Sequence, residues 1–152
     1  MTYEYKQFAT EQQLFDFIKD NFINDLNPSE YSTSRYDCFS ERYQMDIELK
    51  CRRKHYDGLI IEKGKYDALM HRCKIHGTIP VYINSTPEGV WGFYLEQFDL
   101  VWEHRDLPKK TDFSDRRTIS KEISYLEVSK GVDLLLLLRA FDNFDFLNPS
   151  VA

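Results

Sequence analysis

From Met45 to Cys51 the chain alternates without a break: Met45, Ile47, Leu49 and Cys51 on one side, Asp46, Glu48 and Lys50 on the other. A period of two marks a strand with one buried face. The other face carries two carboxylates and an amine in a row. The preceding run, Arg35 to Phe39, also reads as a strand, so the pair predicts a hairpin. An even turn through Ser40 to Tyr43 puts Asp37 on the same face as Asp46, Glu48 and Lys50. Opposite and diagonal cross-strand neighbours then lie about 5 to 8 Å apart. An odd turn would send Asp37 to the wrong face.

The rest of the chain supplies elements to pack against this hairpin. Thr10 followed by Gln13 is a capping box, and Leu14, Phe15, Ile18, Phe22, Ile23 and Leu26 make a helical apolar stripe that Asn27-Pro28 stops. Leu59-Ile60-Ile61, bounded by Gly58, is a short buried strand or a lead-in to a helix. Glu62 to His76 reads as a helix with Tyr66, Leu69, Met70 and Cys73 toward the core and Gly77 as its stop. Ile79–Ile83 and Val90–Leu95 are strands around a turn at Ser85–Gly89, with Phe98 to Trp102 carrying the second strand round a bend. His104 to Arg117 reads as a polar, basic loop. Thr118 to Val128 is a further strand with Ile119, Ile123 and Tyr125 on one side, and Ser129 or Asp133 caps a last helix through Leu138. Helices flanking a central sheet predict an α/β or α+β sandwich in a single domain, residues 1–152.

Composition narrows the partners. The 152 residues carry a net charge of −5, so the whole molecule is no electrostatic glove for nucleic acid. Charge is uneven, however. Lys50 to His76 holds eight basic against three acidic side chains, and Lys109, Lys110, Arg116, Arg117 and Lys121 form a second basic cluster. Such faces are compatible with a phosphate-bearing partner and equally with a solvated surface. Three cysteines, Cys38, Cys51 and Cys73, cannot all pair, which favours a reducing cytoplasm. Met1 to Ala9 has no apolar leader character, and Leu134–Leu138 is far below the roughly 20 residues that a span needs, so no membrane is expected.

Asp37, Glu48 and Lys50 suit one chemistry. Two carboxylates on adjacent strands can hold a hard divalent cation, and an amine beside them can meet a phosphate or orient water. The rivals are weaker. Cys51, His55, His71, Cys73 and His76 match no usual zinc spacing. No Gly-rich phosphate loop and no nucleophile elbow occurs. The bland alternative is an amphipathic strand with a solvated Asp-x-Glu-x-Lys face.

Asp37 with Glu48-Leu49-Lys50, set in helix, hairpin, helix, strand order, resembles the motif of the PD-(D/E)XK nuclease superfamily. The stretch Glu48 to Arg52 followed by Tyr56 to Asp67 is similar to phage-type, Holliday-junction-resolvase-like members. The resemblance covers about 10–95 and implies a restriction-endonuclease-like mixed sheet flanked by helices, with a C-terminal strand-helix extension over about 96–152. It further implies a DNA nuclease in which Asp37, Glu48 and the Leu49 carbonyl bind Mg²⁺ (or Mn²⁺). Lys50 would position the attacking water, and Lys65, opening the second helix, would face the site. Arg52, Arg53, Lys54, Arg116 and Arg117 would contact DNA, and a homodimer would suit junction resolution. The host cytoplasm is the expected location for a phage-encoded chain. Tyr36 departs from the motif's proline. The alternative is an inactive domain of this fold that binds nucleic acid or a protein partner.

Overall fold

The computed structural model describes residues 4–29, 37–108 and 117–147, the side chains as far as Phe141. Its centre is the expected hairpin, strands β2 (Asp37–Ser40) and β3 (Met45–Cys51), with Asn27–Pro28 as a short edge strand β1. Ser40 pairs with Met45, so the loop 41–44 is even and Asp37 stands opposite Glu48. The turn is held from outside. Asp25 accepts from the Ser40 hydroxyl at 2.6 Å and from the Arg42 N–H at 2.9 Å, and these bonds hold its carboxyl below the usual carboxylate range. Gln44 closes the turn at φ 52, the left-handed region.

Strand β3 continues in parallel to β5 (Ile79–Thr86), which pairs antiparallel with β6 (Gly89–Tyr94) and then β9 (Val132–Asp133). The result is a six-stranded mixed sheet in the order β1-β2-β3-β5-β6-β9. Between β3 and β5 the chain makes β4 (Gly58–Glu62) and helix α2 (Lys63–His76). Gly77 ends α2 at φ 67, where only a residue without Cβ is unstrained, and returns its N–H to the Cys73 carbonyl. β4 joins a second, three-stranded sheet with β8 (Thr118–Glu127) and β7 (Glu103–Pro108).

Both faces of the large sheet are covered, which explains its alternation. Ile47 and Leu49 face helix α1 (Glu11–Asn21) and helix α3 (Leu134–Leu147), in a core with Leu14, Ile18, Ile83, Leu134 and Leu135. On the opposite face Tyr82 and Phe93 pack with Leu59, Ile61, Leu69, Cys73 and Leu126. The acidic side of β3 therefore lies on the α2 side of the sheet. Thr10 caps α1 by accepting from the Gln13 N–H at 3.2 Å, and Asp133 accepts from the Leu136 N–H at 3.0 Å at the start of α3.

Four local expectations differ from the structure. α1 ends at Asn21, and Leu26 reaches the same core from a turn beyond it. Phe98–Trp102 is irregular, because a 3-10 turn at Leu95–Gln97 breaks β6 before the bend. Glu103–Pro108 is a strand where a loop was expected, because β8 supplies its hydrogen-bonding edge; 109–116 lie outside the described residues. In β8, Ile123 is buried but Ile119 and Tyr125 are exposed, since the side facing α2 is set by Leu59 opposite Leu126 and Ile61 opposite Ser124.

Candidate active site

Directly opposed residues on an antiparallel pair point to one side, so the register of β2 and β3 places Asp37 and Glu48 face to face. Both are nearly sealed, at 4% and 8% exposure. A carboxylate loses hydration on burial and is repelled by a like charge nearby, and both effects favour its neutral form. Glu48 accordingly has its carboxyl pushed up to about 8, first by burial and then by Asp37, with Lys65 and Arg72 opposing. Lys65, in the first turn of α2, brings Nζ to 3.9 Å from Glu48 Oε1. Lys50 is two residues beyond Glu48, on the same face of β3 by strand alternation, half-buried and paired with Asn84 of β5.

A second set of contacts ties this pair to the helix. Arg72 Nη1 lies 3.3 Å from Asp37 Oδ2, and Arg72 Nε lies 3.4 Å from Asp46 Oδ1. Asp46 is 1% exposed, with His76 Nδ1 at 3.1 Å from its Oδ2 and the Thr78 hydroxyl donating to the same oxygen. A cleft of about 540 Å³ lined by Ser29, Ser40, Gln44, Asp46, His76 and Thr78 opens beside this end.

Asp37, Glu48 and Lys65 are thus brought together, and Lys50 shares their face of β3. Leu49 sends its side chain into the other core, leaving only its carbonyl for the site. Arg52 turns inward. Its Nε donates to Asn84 Oδ1 at 2.8 Å, and its Nη2 donates to the Tyr82 hydroxyl at 3.2 Å and to the Ile60 carbonyl. Through Nε and Nη2 the guanidinium thereby ties β3, β4 and β5 together. Arg53 and Lys54 are exposed just after β3, Arg117 is exposed before β8, and Tyr36 and Arg116 lie outside the described residues.

The sequence reading missed Arg72, His76 and Thr78. The signal was present. Lys65, Leu69, Arg72 and His76 recur at i, i+4, i+7 and i+11, one stripe of α2, and that stripe meets the acidic side of β3.

The opposed acids fit a hard divalent cation. Their donors are all oxygen, as such ions require, and a positive charge between them would relieve the repulsion that raises Glu48. Among the described residues no three His, Cys, Asp or Glu side chains close into a metal cluster.

The architecture has a counterpart among solved structures. Hjc, a Holliday junction resolvase from the archaeal hyperthermophile Archaeoglobus fulgidus, superposes with a TM-score of 0.52 over 84% of this chain and 96% of that one, at 11% identity. The chain is resolvase-like in fold. No protein-family model and no curated protein sequence matches it. Among the described residues no helix is long and apolar enough to cross a membrane.

Proposed function

We propose that this chain is a metal-dependent DNA nuclease that hydrolyses phosphodiester bonds at Asp37 and Glu48. The observation that carries the reading is the buried, directly opposed pair with Lys65 at 3.9 Å and Lys50 along the same face. The resolvase-like fold supports it as the setting in which such a pair would work. Asp37, Glu48 and the Leu49 carbonyl would hold Mg²⁺ or Mn²⁺, which when bound supplies positive charge to the phosphate and acidifies water.

The chain's own groups have distinct parts. Lys50 positions the attacking water. Lys65, half-exposed at the start of α2, offers its ammonium to the phosphate, where charge builds as the bond breaks. Arg53 and Lys54, with Arg116 and Arg117, contact the DNA backbone without reading sequence. A phage-type, junction-resolving role in the host cytoplasm, carried out by a homodimer, is the finer form of this proposal; two copies would address two strands.

A second reading has an observation of its own. Arg72 already pairs with Asp37, as it would in a nuclease-fold domain that binds nucleic acid or a protein partner without cleaving. One experiment separates the two. The protein is incubated with branched and linear DNA in Mg²⁺ or Mn²⁺, alongside Glu48→Ala and Lys50→Ala. Cleavage lost in both variants is the expected outcome. Cleavage indifferent to both would remove the site assignment, and DNA binding without cleavage would select the second reading.

A further inference from the structure

The α2 side of β3 buries three carboxyl groups in one patch. Asp37, Asp46 and Glu48 are 4%, 1% and 8% exposed. The cations in contact with them are Arg72, at 12% side-chain exposure, Lys65, at 51%, and His76 when protonated, at 33%, while Lys50 shares their face of β3. Arg72 is the deeply placed one, and it is shared. Its contacts with Asp37 and Asp46, at 3.3 and 3.4 Å, are longer than the roughly 2.7–2.9 Å of a well-made charge-assisted bond. Its Nη2 is buried without a hydrogen-bond partner among the described residues. A guanidinium with a buried orphan donor and two stretched bonds is costly as architecture. That cost is understandable if the group is held in reserve.

We propose that Arg72 is an internal counterion, anchored by Asp46, that neutralises Asp37 when no divalent cation lies between Asp37 and Glu48 and yields Asp37 when one binds. This rests on the reading of Asp37 and Glu48 as the cation-holding pair. Asp46 suits the anchor. Its other oxygen is fixed by His76 and Thr78, so it stays put while Arg72 releases its neighbour. Arg72 is then a positioning residue that opposes the cation through a shared carboxylate. Because the two positive charges compete, removing Arg72 should strengthen cation binding. Removing the charge of Asp46 should weaken it, since Arg72 would fall wholly to Asp37. A purely structural pair would move both in the same direction.

The test is calorimetric titration of the full chain with Mn²⁺, together with melting in EDTA and in Mn²⁺. Arg72→Met is expected to melt lower in EDTA, to recover more than the parent on adding Mn²⁺, and to bind Mn²⁺ about tenfold or more tightly, the effect of one nearby charge on a carboxylate. Asp46→Asn is expected to bind more weakly, and Glu48→Gln to lose binding. Should Arg72→Met fail to fold, Arg72→Lys, which reaches one carboxylate only, is expected to tighten Mn²⁺ by a smaller factor. An unchanged or weaker affinity in the Arg72 variants, with Glu48→Gln still abolishing binding, overturns the counterion and leaves the acidic pair standing. Binding that survives Glu48→Gln, or no saturable binding in parent and Arg72→Met alike, overturns both.

Discussion

Lys65 Nζ lies 3.9 Å from Glu48 Oε1, so the first turn of α2 delivers a cation to a carboxylate that β3 has buried. Lys65 is half-exposed and Glu48 is nearly sealed, so the amine is free to exchange between the acid and solvent. Its charge favours the ionised form of Glu48, against the burial and the Asp37 repulsion that favour the neutral one.

Replacing Lys65 by Met should therefore raise the Glu48 titration further above about 8. Carboxyl carbon shifts followed by NMR against pH would report it. A downward or absent movement would separate Lys65 from the acidic pair.

The same shift makes stability depend on pH. The carboxyl titrates at about 8 in the fold against a usual 4.5, so between those values the native state holds a proton that the unfolded chain has lost. Stability from this group is fully present below the lower value and is lost as pH rises through the higher one. In EDTA the melting temperature should fall from pH 5 toward pH 8, and Glu48→Gln should flatten that slope. A parent that gains stability over this range would contradict the assignment.

Arg52 and Arg53 are adjacent in sequence but differently placed, Arg52 bonded within the fold and Arg53 exposed. Arg52→Ala removes the partner of Asn84, Tyr82 and the Ile60 carbonyl and should cost about 2–3 kcal/mol in urea unfolding. Arg53→Ala should change stability by less than about 0.5 kcal/mol and weaken DNA binding more at low salt than at high. Equal stability losses would place both inside the fold.

Gly131 closes the turn before β9 against the Phe93 ring, where an added Cβ would meet ring carbons at 2.8 Å. Phe93 is 1% exposed and has no room to swing away. Gly131→Ala should lose about 1–3 kcal/mol by overpacking, while Gly64→Ala, with nothing within 4 Å of its Cβ, should not. Thermal melts of the two variants make the comparison.

The local grammar of the chain was legible before any coordinates. Strict alternation over Met45–Cys51 reduced the place of Asp37 to the parity of one turn, because strand side chains have a period of two, and the register of the folded hairpin then set it opposite Glu48. Gly77 and Thr10 announced helix ends because the backbone groups they satisfy belong to neighbouring residues. What only the tertiary structure decided was which charged groups meet across distance. Arg52 and Arg53 look alike in sequence, yet β4 and β5 supply acceptors that draw Arg52 inward. Asp46 became an anchor instead of a solvated acid only because the packing of α2 brought Arg72 and His76 over it. Likewise Tyr125 was exposed and Leu126 buried by the side of β8 that α2 happened to cover. Period and turn chemistry act over a few residues and can be read along the chain, whereas the partner of a buried charge depends on packing between elements far apart in it.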